Sequence, residues 1–260
     1  MYLDLKDIEL KKYIYRIISY DRFLEVFNTS KNTLVKPDLW DDNFENYALK
    51  STLNYPDGST VKLDVHNRMY GQCWTTERSS DAMWRIYSHD KYGLRIRTTI
   101  DILLDSLGVA TVDKPMSEYC IGKVKYESER AIIKAAKKAF GPNGAITFEG
   151  LFRSLLIKRK AFKHENEIRL LYFDWDKDLP EDKLYKYDIN PHDFISQVMI
   201  DPRVGHKEFM SIKKRIIKDT GFKGEIKRSL LYKLPKPVSI NVTQNITSQA
   251  RGTPKYLGVR

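Results

Sequence analysis

Cysteine is nearly absent from the 260 residues: Cys73 and Cys120 stand far apart, with no neighbouring Cys or His at ligand spacing. That argues against a disulfide framework or a structural zinc site and fits a reducing, cytoplasmic setting. Long apolar runs are missing too. Stretches such as "LLIK" and "SLLY" are far too short to span a bilayer, so no membrane partner is expected. The opening "MYLDLKDIELKKYIYR" mixes charges of both signs and lacks the continuous apolar core of a signal peptide. No G-x-G-x-x-G and no G-x-x-x-x-G-K-[ST] occurs, which removes the main support for a Rossmann or P-loop fold. The five histidines are scattered, without H-E-x-x-H or H-x-H, and there is no G-x-S-x-G elbow. No internal repeat is visible.

What is present is a basic excess, a net charge of +11, on a chain that is 42 % hydrophobic and 12 % aromatic. The hydrophobic content supports a real core. The charge attracts polyanions; a nucleic acid, a nucleotide cofactor and an acidic protein would each satisfy it.

Along the chain, short strands and helices interleave. "YIYRII" (13–18) alternates as a strand, and Ser19 caps a helix with Phe23, Val26 and Phe27 at helical spacing. "NTLVKPDLWDDNFEN" reads as an ordered acidic loop, and "STLNYPDGSTVKL" as a hairpin or loop insertion around Pro-Asp-Gly. "MYGQCWTTE" is a strand ending in hydroxyls; "SSDAMWRIYSHD" opens a short helix at Ser79 or Ser80. "KYGLRIRTTI" fits a half-exposed strand, "TIDILLDSLG" a helix stopped by Gly108, and "YCIGKVKYES" another strand. "ERAIIKAAKKAF" is a basic helix ended by "GPNG", and "TFEGLFRSLLIKRKAF" a longer helix. A strand at Val198–Ile200, a helix "KEFMSIKKRIIKDTG" capped by Gly221 and a late strand in "KGEIKRSLLYKL" complete the series. Alternating faces favour an α+β fold with a split, mostly antiparallel mixed sheet and flanking helices. The expected layout is one domain over 1–235 and a polar tail over 236–260.

Three constellations can carry chemistry. In "HENEIRLLYF" read as a strand, Glu165, Glu167, Arg169 and Leu171 share one face. His164, Asn166, Ile168, Leu170 and Tyr172 share the other and suit a core. The charged face is either an ordinary surface ion pair or the lining of a cleft, where the basic helix before it (Lys158, Arg159, Lys160, Lys163) would keep a carboxylate ionised. In "QCWTTERSSDAMWRIYS", Thr75, Thr76, Ser79 and Ser80 lie at a strand-to-helix junction, where hydroxyls either cap the helix or bind a ligand. Trp74, Trp84 and Tyr87 either stack on a planar ring or fill the core. Arg16, a charge on an apolar strand, needs an anion: a carboxylate such as Asp41 or Glu45, or a phosphate. Asp41, Asp42 and Glu45 could also join Glu165 and Glu167 around a metal, as in a nuclease.

The motif order "YRIIS", "PDLWDDNFE", "WTTERSSDAMWRIY", "GLRI", "KVKY", "FKHENEIR" resembles a widespread bacterial family of unknown function, often found near phage-defence genes. The likeness runs over residues 13–232. More loosely, the order is similar to the ADP-ribosyltransferase superfamily, although "WTT" stands where that superfamily has Ser-Thr-Ser. The resemblance implies an ADP-ribosyltransferase-like fold and NAD as co-substrate. Glu167 would be the catalytic glutamate and Glu165 the residue that orients the acceptor. Arg16 would hold the pyrophosphate or a ribose, Trp74, Thr75 and Thr76 would lie in the central motif, and Tyr87 would stack on nicotinamide. It also implies a toxin, toxin–antitoxin or anti-phage defence role, with RNA, DNA or protein as acceptor and an antitoxin as a further partner. Two alternatives remain open at this point: a metal-dependent nuclease, and a non-catalytic module that binds nucleic acid or a protein partner.

Overall fold

The structure is a computed structural model that describes residues 1–62, 65–114, 118–140, 145–175 and 182–241. The first half comprises β1 (Tyr2–Leu3), β2 (Tyr13–Ile18), α1 (Tyr20–Thr29), β3 (Lys31–Val35), β4 (Thr52–Asn54), β5 (Thr60–Lys62) and β6 (Met69–Thr75). Then come α2 (Asp81–Tyr87), β7 (Leu94–Thr99), α3 (Ile100–Ala110), β8 (Glu118–Lys123), β9 (Lys125–Glu127) and α4 (Glu129–Ala139). The last part holds α5 (Phe148–Ser154), β10 (Ile157–Arg159), β11 (Glu167–Phe173), β12 (Leu184–Asp188), α6 (Pro191–Phe194), β13 (Gln197–Ile200), α7 (His206–Thr220) and β14 (Glu225–Arg228).

Ten strands form one mixed sheet in the order β1-β8-β11-β6-β2-β7-β13-β14, with β3 joined to β6 and β12 joined to β3. Most pairings are antiparallel; β1–β8 and β13–β14 are parallel. The sheet is split at its middle. Between β2 and β6 a single register pair holds, Tyr15 opposite Thr75. Farther along the same edge of β6, at Gly71, the partner is Val35 of β3, while β11 pairs along the whole of the opposite edge. So β6 forks, and the space beside Thr75 becomes a pocket.

Local signals explain many element ends. The hydroxyls of Ser19, Ser80 and Ser128 accept from the backbone amides of Arg22, Met83 and Ala131, satisfying orphan donors at three helix starts. Gly221 ends α7 with φ +60°, a conformation open to glycine without a Cβ clash. The Pro-Asp-Gly segment is the tip of a hairpin, β4–β5.

The central strand β11 is buried along its whole length. Ile168, Leu170 and Tyr172 enter the larger core, with Leu94, Leu103, Leu104 and Val198. Leu171 and Phe173 enter a second core beneath α5, with Phe152, Leu155 and Met69.

Several expectations are corrected here. The single helix expected over "TFEGLFRSLLIKRKAF" is three elements: α5 stops at Ser154, β10 pairs in parallel with β9, and Lys160–Glu165 is a 3-10 turn. Helical periodicity persists there in sequence, but pairing of Ile157 with Lys125 overrides it. The β7 strand is not half-exposed; Leu94, Arg95, Ile96 and Thr98 are all buried. Gly108 lies inside α3, where a Cβ would collide with the Tyr119 hydroxyl, so packing rather than termination places it. The "GPNG" stop and most of the polar tail lie outside the described residues. No helix among the described residues is long and apolar enough to cross a membrane.

Candidate active site

The pocket at the split is lined by Tyr15, Arg16 and Ile17 of β2, Cys73, Trp74 and Thr75 of β6, Met83 and Tyr87 of α2, and Glu165 and Glu167. Six of the seven residues singled out from the sequence therefore meet in one cavity: Arg16, Trp74, Thr75, Tyr87, Glu165 and Glu167. Thr76 does not join them. Its amide and hydroxyl bind the Asn166 carbonyl at 3.1 and 3.2 Å, which fastens β6 to the turn before β11.

That turn sets the geometry of the acids. β11 starts at Glu167, not at His164, and Asn166 sits in the left-handed region with φ +42°. The Asn166 amide group donates to the Glu77 carboxylate, and the Thr75 hydroxyl donates to the Glu165 carbonyl. The Glu167 amide donates to the Tyr126 hydroxyl at 2.8 Å. Glu165 and Glu167 thus reach the same pocket from a pinned bend rather than from one continuous strand face.

One wall of the pocket is saturated with ion pairs. Lys158 Nζ lies 2.8 Å from Glu45, 2.5 Å from Glu165 and 3.6 Å from Glu167. Arg169 Nη2 lies 2.6 Å from Glu167 and 3.1 Å from Glu45, and its Nη1 donates to the Leu155 carbonyl at 2.6 Å. The Arg169 guanidinium is 0 % exposed, with Trp40 over it at 4.4 Å. Gly71 makes room for that ring; a Cβ there would lie 2.6 Å from Trp40. Three carboxyl groups share two cations in this cluster.

Arg16 of β2 also lines the cavity, at the split. It has no hydrogen-bond or ion-pair partner among the described residues, and burial holds its pKa below the ordinary arginine value. The expected partner Glu45 serves Lys158 and Arg169 instead. Arg16 also lines a second pocket on the far side of the split, with Arg22, Lys31, Asn32 and Gln72.

Burial raises the Glu165 pKa, and the neighbouring Glu167 charge raises it further; Lys158 and the Tyr87 hydroxyl oppose this without cancelling it. The expected basic helix is corrected: Lys158 is a strand residue in direct contact with Glu165. Burial alone would lower Lys158, but Glu167 and Glu45 hold it above its usual value. Tyr87 donates to Glu165 Oε1 at 3.1 Å, so its hydroxyl is anchored to the acid. Burial pushes the Cys73 thiol up to about 12, which keeps it protonated and unreactive. Thr75 has its hydroxyl fully engaged, also accepting from the Glu77 amide at 2.9 Å.

Sequence reasoning placed Lys158 on a basic helix and offered Glu45 as a partner for Arg16 or a nuclease metal ligand; it missed that the two pair with each other. Lys158 follows "SLLI" directly, and a cation set into a buried stretch was the available signal. Among the described residues, no three His, Cys, Asp or Glu side chains group as metal ligands. The carboxylates converge instead on Lys158 and Arg169.

A protein-family model described as "Protein of unknown function (DUF2971)" matches residues 83–170, from α2 into β11. No curated protein matches the chain. Among solved structures, the chain is similar to Thermus sp. 2.9 DarT in complex with ADP-ribosylated ssDNA. That match has 10% identity and a TM-score of 0.38, and it covers 84% of this chain and 94% of that one. DarT in complex with NAD+ aligns at 11% identity and a TM-score of 0.35, covering 84% and 96%. The overlap is loose, and this chain's chemistry has to come from its own residues. The segment that matches the unknown-function family includes Tyr87, Lys158, Glu165, Glu167 and Arg169, the acid side of the pocket.

Proposed function

We propose that the chain is an NAD-dependent ADP-ribosyltransferase acting at the split-sheet pocket. One observation carries this: a buried, fixed carboxylate, Glu167, and an arginine with no ion-pair partner among the described residues, Arg16, line a single cavity. Breaking the bond between nicotinamide and ribose sends the electron pair to nicotinamide and leaves positive charge at the anomeric carbon. A fixed carboxylate opposite that carbon stabilises it, and this is the role assigned to Glu167. Lys158 and Arg169 hold Glu167 in place. Arg16 supplies the guanidinium for the pyrophosphate or a ribose. Tyr87 walls the leaving ring, Thr75 fixes the bend beside it, and Trp74 packs its ring into the core against Phe194. The acceptor's nucleophilic N–H or O–H then bonds to the anomeric carbon and releases its proton to Glu165. Its raised pKa suits it to take up that proton.

The acceptor is a macromolecule, with nucleic acid favoured by the net charge of +11, and the biological role is a toxin or anti-phage defence effector. The metal-nuclease alternative loses ground because an ammonium and a guanidinium occupy the focus of the carboxylates. The test is incubation with NAD labelled on its adenylate, together with RNA, single-stranded DNA or protein. Label should enter one acceptor class, nicotinamide should be released, and both should vanish in Glu167→Gln. Cleavage of nucleic acid that needs a divalent metal, with no label transferred, would replace this reading with the nuclease.

A further inference from the structure

The face of the sheet that holds the pocket continues outward along β2 and β7. Residues of one parity on β2 (Tyr13, Tyr15, Ile17) lie opposite Thr99, Arg97 and Arg95 of β7. Both arginines lean diagonally onto tyrosines. Arg97 lies 4.0 Å from the centre of the Tyr13 ring, and Arg95 lies 4.4 Å from that of Tyr15. The result is an alternating ladder, Tyr13–Arg97–Tyr15–Arg95. Its outer end is open, with Tyr13 49 % exposed. Its inner end is the pocket wall, because Tyr15 and Ile17 line the cavity.

The ladder is short of anions. Arg95 is 4 % exposed and has no carboxylate partner among the described residues. Its Nη1 donates to the Arg78 carbonyl, and its Nε has no partner. Burial draws its pKa down to about 10. Arg97 donates to the Ser196 hydroxyl at 3.0 Å. The acid it influences, Glu225, is already held by Lys227 and Gln197, each at 2.6 Å. Exposed Arg78 adds a third cation next to Arg95. A buried guanidinium without a carboxylate raises the local potential toward anions.

We propose that Tyr13, Arg97, Tyr15 and Arg95, with Arg78 above them, form a track that leads single-stranded nucleic acid into the pocket. A single strand presents the two things this surface takes: a flat base to stack on the exposed Tyr13 and its guanidinium neighbour, and phosphates for Arg97 and Arg78. Same-face residues two apart on a strand are spaced ~6.6 Å, so the ladder is a linear array rather than one point. An acidic peptide would use the cations and leave the ring idle. A duplex keeps its bases stacked internally and gains nothing from Tyr13. The track's destination rests on the transferase reading; its existence does not.

The experiment is therefore binding without NAD, followed by fluorescence anisotropy of dye-labelled oligothymidylate, oligouridylate, a duplex of the same length and polyglutamate. Single strands should bind, and Tyr13→Ala should weaken them by roughly tenfold, the loss typical of one stacked base, while Tyr13→Phe keeps the affinity. Arg97→Gln should lower the salt slope by about one phosphate contact. The comparison of thymidylate with uridylate shows whether DNA or RNA is preferred. The proposal is overturned if Tyr13→Ala and Arg97→Gln bind like the parent. It is also overturned if duplex or polyglutamate binds best, or if loss occurs only on changing Lys214 and Lys218 of α7. Nicotinamide release, measured separately, tests the transferase; oligonucleotide binding with no NAD chemistry would leave the track standing without it.

Discussion

The two sides of the pocket are built on opposite electrostatic plans. On one side Glu45, Glu165, Glu167, Lys158 and Arg169 satisfy one another, every charged group having at least two partners. On the other, half-buried Arg16 and, beyond the pocket, buried Arg95 have no carboxylate partner among the described residues. The first side keeps its shape without a ligand. The second bears a desolvation cost that a bound anion relieves. The contrast separates groups fixed by the fold from groups that await a substrate.

The largest effect should come from breaking the saturated side. Lys158→Met leaves Glu45, Glu165 and Glu167 facing one another with Arg169 alone, and loss of one partner from a buried network costs about 3–5 kcal/mol. Urea unfolding should show a lower midpoint with an unchanged slope. A midpoint close to the parent's would mean that the cluster is solvated and the contrast is not real. Next is Glu167→Gln, which preserves shape and removes the charge opposite the reacting carbon. Nicotinamide release should fall by about a hundredfold or more, on the scale seen for lost transition-state partners. The fold has to survive, as checked by circular dichroism; a well-folded variant with full activity would take the chemistry away from this carboxylate.

On the unpartnered side the signs reverse. Arg16→Gln removes a cation that the fold disfavours, since its pKa is lowered by burial. Thermal stability should hold or rise. The KM for NAD should increase roughly ten- to a hundredfold, the range for a lost charge-assisted hydrogen bond. Stability falling together with affinity would show that Arg16 is a structural group, and the comparison would break.

How much of this could be read from sequence follows the range of the interactions involved. The limits of β2 and the caps at Ser19 and Gly221 depend on a few neighbouring residues, and they are legible. So is the apolar face of Ile168, Leu170 and Tyr172, because alternation alone defines it. The covering of the other face is not. Arg169 is sealed by Trp40, some 130 residues earlier in the chain, and by the Leu155 carbonyl. The place of Lys158 needs β10, a three-residue strand whose partner β9 is remote in sequence. The pairing of Glu45 with Lys158 has no local pattern at all. Residue types that chemistry demands could thus be nominated, whereas the residues that hold them in position could not.

The finest test lies at the boundary between the two sides, in the hydroxyl of Tyr87 on Glu165. The Glu165 pKa is raised by burial and by Glu167, and Tyr87 is among the groups that lower it. A carboxyl whose folded pKa exceeds its unfolded one contributes stability that is complete below the unfolded value and lost as pH rises through the folded value. Ionised Glu165 is therefore the strained form of the site, and it is also the form that accepts a proton. The rate of transfer should climb with pH through the raised pKa of this group. In Tyr87→Phe the stabilising hydroxyl is gone, so the climb should move to higher pH, while the ring still walls the pocket and the plateau rate changes little. In Glu165→Gln the climb should disappear. A profile that stays in place in Tyr87→Phe and persists in Glu165→Gln would assign the titration to another group, one outside the saturated side.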